Sequence, residues 1–268
     1  MNNSKKKIGL ALSGGGILGV AHIGLLEEIE KHNIKIDYIS GTSAGSIVGA
    51  LYSDGGTKKI YEFLNRLDKK DLFSINKLLF KYKLPYKIFE AISEALEETL
   101  SSKNFIDLKI PLVCVATDIA LAREKIFEKG NLLSAIRASS AYPGVFPIQE
   151  IKGKYYIDGG VLTNFPVKIL KSKQCNLIIG SHTNQLPELR YNQFNKPKLS
   201  TLDALIRAIK IGETKIAQYD KKYCDIIFEP PIYYWDWYDF DDIDTILNIG
   251  QDYAKRNFYR ISRVLKNE

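Results

Sequence analysis

A strand–turn–helix in the first quarter of the chain constrains its fold most strongly. An apolar, β-favouring run from Ile36 to Ser40 leads into Gly41-Thr42-Ser43-Ala44-Gly45, and a small-residue helical pattern starts just after Ser43. Glycines two positions either side of the serine let a strand and a helix approach one tight turn, which leaves the serine exposed above the sheet. The pattern predicts that Ser43 is a nucleophile. The alternative is a turn in which Ser43 only caps the helix.

A second glycine-rich turn lies upstream. The segment Ser13-Gly14-Gly15-Gly16-Ile17-Leu18-Gly19 separates a buried strand at Ile8–Leu12 from a helix expected from about Val20 to Lys31. Consecutive glycines leave backbone N–H groups free to converge on an anion, as acyl-transfer chemistry requires for its tetrahedral intermediate. The same letters match the dinucleotide pattern Gly-x-Gly-x-x-Gly, with Asp37 about where a ribose-binding acid belongs. This nucleotide-binding alternative is disfavoured, because the strand continues past Asp37 into the serine turn.

A nucleophilic serine needs a base, and histidine is the most frequent one. The chain has three histidines. His182 follows the apolar strand Leu177–Gly180 and is the one placed like the base of a catalytic triad. We expect His22 to pack or cap within the first helix and His32 to end that helix, where a cation suits the helix dipole.

The competing base is Asp158, which a short β run, Tyr155–Ile157, delivers directly into Gly159 and Gly160. Glycines beside an acid allow another group to come within hydrogen-bond distance. At a reference pKa of ~3.9 a carboxylate is a poor base, so this role requires a desolvated site that raises the pKa. The alternative is an Asp-Gly turn that closes a hairpin.

These motifs resemble the three signatures of patatin-like phospholipases, in the order in which that family carries them. The matching residues are Gly14-Gly15-Gly16-x-x-Gly19, Gly41-Thr42-Ser43-Ala44-Gly45 and Asp158-Gly159-Gly160. The resemblance extends from Lys6 to Phe258, and also includes Arg137–Pro147 before the aspartate, Asn164 and Pro166 after it, and Asp239-Phe240-Asp241 with Gly250.

The resemblance implies a serine–aspartate dyad without histidine. Ser43 would be the nucleophile and Asp158 the proton acceptor, and the backbone of Gly14-Gly15-Gly16 would form the oxyanion hole. It further implies hydrolysis of carboxylic esters of lipids or phospholipids, with a fatty-acyl ester as substrate and no metal or other cofactor. Leu18 departs from the pattern, because family members usually carry Arg or Lys there. A cation near the entrance is therefore expected to be missing.

Apolar β runs with helical patterns between most of them predict an α/β fold, a three-layer α/β/α arrangement around a mostly parallel central sheet. With 268 residues and 45% hydrophobic composition, the chain can bury one large core, and no linker or repeat marks a second domain. We expect one patatin-like catalytic domain over residues 6–258, in which residues 57–104 are a helical cap or lid, followed by the end of the last helix at 259–268. The β runs are Ile8–Leu12, Ile36–Ser40, Leu112–Ala116, Tyr155–Ile157, Leu177–Gly180 and Asp225–Phe228.

The net charge of +7 favours an anionic partner, but no basic recognition motif indicates nucleic acid. The expected lid mixes lysines with apolar residues and could rest on an anionic lipid surface, although a solvated lysine face explains the pattern equally well. The interleaved residues are Lys69, Lys70, Lys77, Lys81, Lys83 and Lys87, with Leu72, Phe73, Leu78, Leu79, Phe80, Tyr82 and Phe89.

Three isolated cysteines, Cys114, Cys175 and Cys224, form no disulfide framework or metal-binding spacing, which favours a reducing compartment. No apolar stretch approaches the ~18 residues of a membrane span. The sequence therefore predicts a cytoplasmic protein with at most peripheral membrane contact. A second aromatic cluster at residues 233–238 is expected to pack within its loop rather than to anchor at an interface.

Overall fold

The structure, a computed structural model, describes residues 6–67, 85–186 and 200–266. Within these ranges the chain forms eight strands: β1 Ile8–Leu12, β2 Tyr38–Thr42, β3 Leu112–Asp118, β4 Arg123–Phe127, β5 Gln149–Ile151, β6 Lys154–Asp158, β7 Leu177–Ser181 and β8 Ile226–Phe228. They make one sheet in which β8, β7, β1, β2 and β3 are successive neighbours. Strand β6 pairs with β3 on the same edge as β2, β5 pairs with β6, and β4 pairs with the opposite edge of β3.

The sheet is parallel from β3 through β2, β1 and β7 to β8, and antiparallel where β4, β5 and β6 join. All six predicted β runs are strands. The sequence analysis missed β4 and β5, because both are partly exposed and lack the continuous apolar run of a buried strand. The predicted fold class, a mostly parallel sheet flanked by helices, is confirmed.

Helices cover both faces of the sheet. They are α1 His22–Lys31, α2 Ala44–Gly55, α3 Thr57–Arg66, α4 Pro85–Thr99, α5 Leu132–Ser139, α6 Gly160–Thr163, α7 Val167–Ser172, α8 Thr201–Asp220, α9 Ile243–Asn257 and α10 Tyr259–Lys266. Strand alternation sends Leu10 and Leu12 into the larger core, under α1, α2 and α9, while Ala11 faces the opposite core formed with α7 and α8. This alternation produces the three layers.

Two segment boundaries differ from expectation in detail. The first helix begins at His22 rather than about Val20, because Gly16–Ala21 form a 3₁₀ turn. The chain after residue 258 is a separate helix, α10, rather than the end of α9.

In the expected lid, α3 and α4 are helical, whereas Lys69, Lys70, Lys77, Lys81, Lys83 and the apolar residues Leu72–Tyr82 between them lie outside the described residues. No helix within the described ranges is both long enough and apolar enough to cross a membrane.

Candidate active site

The sheet register brings the predicted nucleophile and base together. Thr42 of β2 pairs with Val115, and Asp158 of β6 pairs with the next residue of β3, Ala116. Strand β2 runs parallel to β3 and strand β6 runs antiparallel to it, and both pair with the same edge of β3. Their C-terminal ends therefore meet from opposite directions. Ser43 follows Thr42 directly, so the two strand ends deliver Ser43 and Asp158 to one place.

Ser43 occupies the strained turn that the motif predicts. Its backbone has φ 53° and ψ −125°, a conformation that L-residues rarely adopt, and its side chain makes no capping hydrogen bond to α2. A Cβ on Gly41 would overlap the carbonyl of Gly45, and one on Gly45 would overlap the carbonyl of Leu12. Strand and helix therefore pass in backbone contact, and the interpretation of Ser43 as a helix cap is wrong.

A serine that the sequence analysis did not single out fixes this turn. The Ser139 hydroxyl accepts a hydrogen bond from the Ser43 backbone N–H at 2.9 Å and donates to the Val115 carbonyl at 2.6 Å. On the other side, the Ser46 hydroxyl donates to the Ser43 carbonyl at 2.7 Å. These bonds hold the backbone of Ser43 in its strained conformation and leave the Ser43 hydroxyl free for chemistry.

Asp158 is a buried carboxyl, with 1% of its surface exposed. Its Oδ1 accepts the Gly160 N–H at 2.7 Å, while Oδ2 has no hydrogen-bond partner within the described ranges. Burial raises the pKa of Asp158 to about 7, and the nearby Ser43 hydroxyl and the Gly160 N–H only partly oppose that rise. This buried environment gives Asp158 the basicity that an exposed aspartate lacks.

The glycines after Asp158 provide space rather than a hairpin turn. A Cβ on Gly159 would overlap the Val115 carbonyl, and a Cβ on Gly160 would lie 3.0 Å from Asp158 Oδ1 and 2.7 Å from Glu213 Oε1. Helix α6 begins at Gly160, so the hairpin interpretation of this dipeptide is wrong. The absence of side chains allows two buried carboxyl groups to approach the same point.

The glycine-rich turn lies directly beside Ser43. The Gly14 N–H donates to the Asn164 carbonyl at 3.1 Å, whereas the N–H groups of Gly15 and Gly16 have no partner among the residues that the structure describes. A Cβ on Gly14 would lie 3.2 Å from the Ser43 Cβ, and one on Gly19 only 2.7 Å from the Ala44 Cβ. Gly14 and Gly19 therefore permit close packing, and Gly15 and Gly16 offer free donors.

The histidines contact other groups. His182 is buried, and its Nδ1 lies 2.9 Å from Glu229 Oε1. His22 is buried beneath the glycine turn, between the Ser181 hydroxyl at 2.7 Å and the Ser13 carbonyl at 3.0 Å. Burial lowers the pKa of His22 to about 4 against the opposing effect of the Ser13 carbonyl, and the charge of His182 lowers it further. Within the described structure, neither histidine lines a cavity at Ser43.

Two cavities meet at Ser43. The larger has a volume of about 350 Å³ and is walled mainly by apolar side chains of α2, α3, α4, α5 and α9. The smaller, about 40 Å³, lies on the Asp158 side, and its wall combines the aromatic residues Tyr142 and Trp237 with the polar residues Asn164, Asn184, Lys210 and Glu213. Ser43 thus stands between a large apolar cavity and a small cavity that has several polar residues in its wall.

Trp237 closes one side of the site. Its carbonyl accepts the Ile17 N–H at 2.9 Å, and its ring stacks on Tyr142 with centroids 5.6 Å apart. The aromatic cluster therefore packs mainly against the domain, as expected, although Tyr233 and Tyr234 are 47% and 63% exposed. Trp237 belongs to the site, which its position among five aromatic residues between 233 and 238 did not reveal.

Two other sequence-based interpretations need correction. Leu18 is fully buried in the core, so it does not line an entrance from which a cation is missing. Asp37 precedes β2, and its carboxylate accepts the Ile8 N–H at 2.9 Å at the end of the strand opposite the glycine turn. A ribose-binding role for Asp37 next to that turn is therefore wrong.

Comparison with known proteins supports the resemblance. Residues 10–171 match the model of a family described as patatin-like phospholipase. The chain is 29% identical over 95% of its length to lysophospholipase NTE1 of Scheffersomyces stipitis, and 30% identical over 94% of its length to that of Debaryomyces hansenii. In both cases the chain spans 18% of the relative's length.

The fold is also found in a solved structure. The crystal structure of VipD from Legionella pneumophila superposes with a TM-score of 0.52 at 14% sequence identity. The match covers 94% of this chain and 66% of VipD. At this identity the similarity concerns the fold alone.

Proposed function

Because this chain belongs to the patatin-like phospholipase family, we propose that it is a serine acyl hydrolase that cleaves carboxylic ester bonds of lipids. Ser43 is the nucleophile and Asp158 the proton acceptor. The observation that carries the proposal is the junction itself: a strained serine faces a buried carboxyl of raised pKa and lies between an apolar and a polar cavity. The catalytic domain comprises residues 6–258, with residues 57–104 as its lid.

In the acylation step, Asp158 takes the proton of the Ser43 hydroxyl as Oγ attacks the ester carbonyl carbon. The carbonyl oxygen becomes an oxyanion, which the free N–H groups of Gly15 and Gly16 stabilise. Removal of one such donor typically costs about 3 kcal/mol of transition-state stabilisation. Gly14, whose N–H already donates to Asn164, supports the turn rather than the oxyanion. The intermediate collapses as the ester C–O bond breaks, and protonated Asp158 gives its proton to the leaving alkoxide.

Deacylation repeats these steps with water. Asp158 removes a proton from a water molecule that attacks the acyl-Ser43 carbonyl, and the second intermediate expels Ser43 Oγ, which regains a proton from Asp158. The products are a carboxylic acid and the free enzyme. Every proton transfer in this cycle uses Asp158, so the mechanism needs no histidine and assigns no step to a metal or nucleotide.

We propose a single-chain lipid ester, such as a lysophospholipid, as substrate. The curated relatives named above are lysophospholipases, and the apolar cavity has a volume typical of small-molecule pockets. Ala44, Ile47, Val48 and Leu51 follow Ser43 along α2 and line this cavity, so an acyl chain bound to Ser43 would extend along that helix.

Incubation of the wild type with a palmitoyl lysophospholipid should release palmitate. The Val48→Phe variant should accept only shorter acyl chains than the wild type does. Val48 lies about 7.5 Å along the helix from Ser43, so a larger side chain there blocks the distal part of the acyl path. We expect kcat/KM for a palmitoyl nitrophenyl ester to fall about tenfold or more relative to the butyryl ester. Equal losses for both chain lengths would place the acyl chain elsewhere, and no release by the wild type would refute the function.

Activity should decline in acid. Because the mechanism requires unprotonated Asp158, whose pKa burial raises to about 7, kcat/KM for a soluble short-chain ester should fall about tenfold per pH unit well below that value. The measurement is a pH profile between 5 and 9 with enzyme of verified folding. A profile that stays flat down to pH 5 would contradict a base of raised pKa.

We propose that the enzyme is cytoplasmic, because its three isolated cysteines favour a reducing compartment, and that it contacts anionic membrane surfaces peripherally, because of its net charge of +7 and the lysines of the lid segment. Neutralising Lys77, Lys81 and Lys83 together should weaken binding to anionic vesicles, with each charge contributing ~1 kcal/mol or less. Hydrolysis of a soluble short-chain ester serves as the control and should persist. Vesicle binding equal to that of the wild type would leave these lysines only a solvation role.

A further inference from the structure

Glu213 is a buried carboxyl to which the proposed mechanism assigns no role. It projects from α8, is 3% exposed and lies in the wall of the small polar cavity beside Ser43 and Asp158. Its Oε2 accepts a weak hydrogen bond from Asn184 Nδ2 at 3.4 Å. Its Oε1 has no partner within the described ranges. A buried carboxyl oxygen without a partner is costly, so its presence here requires an explanation.

Other atoms around this cavity have the same property. Asp158 Oδ2 and Asn164 Oδ1 are buried and have no partner among the described residues. Glu213 Oε1 and Asp158 Oδ1 both lie within 3.0 Å of the position that a Cβ would take on Gly160. Asp158, Asn164 and Glu213 also all line the small cavity of about 40 Å³, which has room for a few hydroxyl-sized groups.

The chemistry places in this space the part of the alcohol half that is next to the scissile ester. Asp158 can protonate the leaving oxygen only if that oxygen lies beside it, and the acyl chain occupies the apolar cavity on the other side of Ser43. Groups attached to the leaving oxygen then lie near Glu213 and Lys210, which both line this cavity, and the buried ammonium of Lys210 lies 2.8 Å from Asp236. Burial, with the neighbouring Asp158, raises the pKa of Glu213 to about 8, so near neutral pH it is a protonated carboxyl that can both donate to and accept from a hydroxyl group.

We propose that Glu213, supported by Asn184 and Lys210, binds a free hydroxyl group on the alcohol half of the substrate. This inference rests on the proposed acyl hydrolase function. The preferred substrate class is then an ester of a polyol, such as glycerol, that retains an unesterified hydroxyl near the scissile ester. A simple alkyl ester leaves the carboxyl unpartnered and is expected to react more slowly.

The test compares glycerol monopalmitate with propyl palmitate, presented in the same detergent micelles. The wild type should prefer the glycerol ester in kcat/KM by about tenfold or more, the penalty expected when a buried polar group lacks its partner. Glu213→Leu should reduce this ratio to near one by lowering the glycerol ester value, and Glu213→Gln, which retains an oxygen acceptor, should give an intermediate ratio. Asp220→Asn is the matched control, since Asp220 is a buried carboxyl of the same helix that pairs with Lys168.

Three results would overturn the proposal: a wild type without preference, a Glu213→Leu variant with equal losses on both esters, or a Glu213→Gln variant with the wild-type ratio. Equal losses would instead indicate that Glu213 acts through Asp158. The wild-type ratio and the isosteric Glu213→Gln variant decide the question even if Glu213→Leu does not fold. Failure of the hydrolase function itself is a separate outcome, since the wild type would then cleave neither of the two palmitate esters nor a nitrophenyl ester.

Discussion

Replacement of Ser43 by alanine should abolish hydrolysis of a nitrophenyl ester, with a loss of at least about a thousandfold in kcat, because loss of a nucleophile removes the covalent route entirely. The fold should persist, since Ser43 is only partly buried and its hydroxyl makes no capping bond. Alanine also keeps the backbone N–H that donates to Ser139. The measurements are steady-state kinetics and a melting curve.

Ser40→Ala provides the matched control for this variant. Ser40 lies three positions earlier on β2, is fully buried and donates to the Pro166 carbonyl at 2.8 Å. Its loss should cost about 1 to 3 kcal/mol of stability through the unsatisfied carbonyl, and the activity should remain near that of the wild type. Turnover by Ser43→Ala within about tenfold of the wild type would rule out Ser43 as the nucleophile.

Asp158→Asn should be as damaging as Ser43→Ala, because an amide of similar shape can neither accept the proton of Ser43 nor return it to the leaving group. Asp118→Asn is the control, since Asp118 is a buried aspartate of the adjacent strand whose Oδ1 accepts the Leu121 N–H, away from Ser43. His182→Ala and His22→Ala should retain substantial activity. An inactive His182→Ala variant with a normal melting curve would instead establish a catalytic triad.

The same Asp158 variant should gain stability. Because burial raises the pKa of Asp158 from 3.8 to about 7, the folded state binds its proton more tightly than the unfolded chain does. The carboxyl therefore destabilises the fold progressively as pH rises from about 4 to 7. At pH 8, Asp158→Asn should melt at a higher temperature than the wild type, and its free energy of unfolding should be higher by at most about 4 kcal/mol. This difference in free energy should shrink toward pH 4. A difference in unfolding free energy that stays constant from pH 4 to pH 8 would mean that the pKa of Asp158 is not raised in the folded state.

Local patterns were sufficient to predict the main elements that form the site. The glycines around Ser43 predict the close approach of β2 and α2, and the apolar runs predict the parallel strands. The antiparallel pairing of β6 with β3 was not predictable in the same way, since nothing in Tyr155–Ile157 indicates a strand direction. That pairing places Asp158 beside Ser43, so the sequence indicated the dyad only through the family resemblance.

Residues that join the site from distant segments could not be predicted. Lys210 and Glu213 are three positions apart on an amphipathic helix rich in charged residues, and their burial depends on how α8 packs beside α6. Ser139 acts through a single hydroxyl at the end of α5. Local sequence carries no signal for such roles, because tertiary packing alone separates a buried charge from a solvated one.

Labelling with a fluorophosphonate tests the central claim most directly, because this reagent forms a stable adduct only with an activated serine. Intact mass should show one adduct per chain, and peptide mapping should place it on Ser43. Ser43→Ala should remain unlabelled, and Asp158→Asn should react far more slowly, while His182→Ala should react at a rate close to that of the wild type. A folded wild-type protein that takes no label, or an adduct on a serine other than Ser43, would contradict the account.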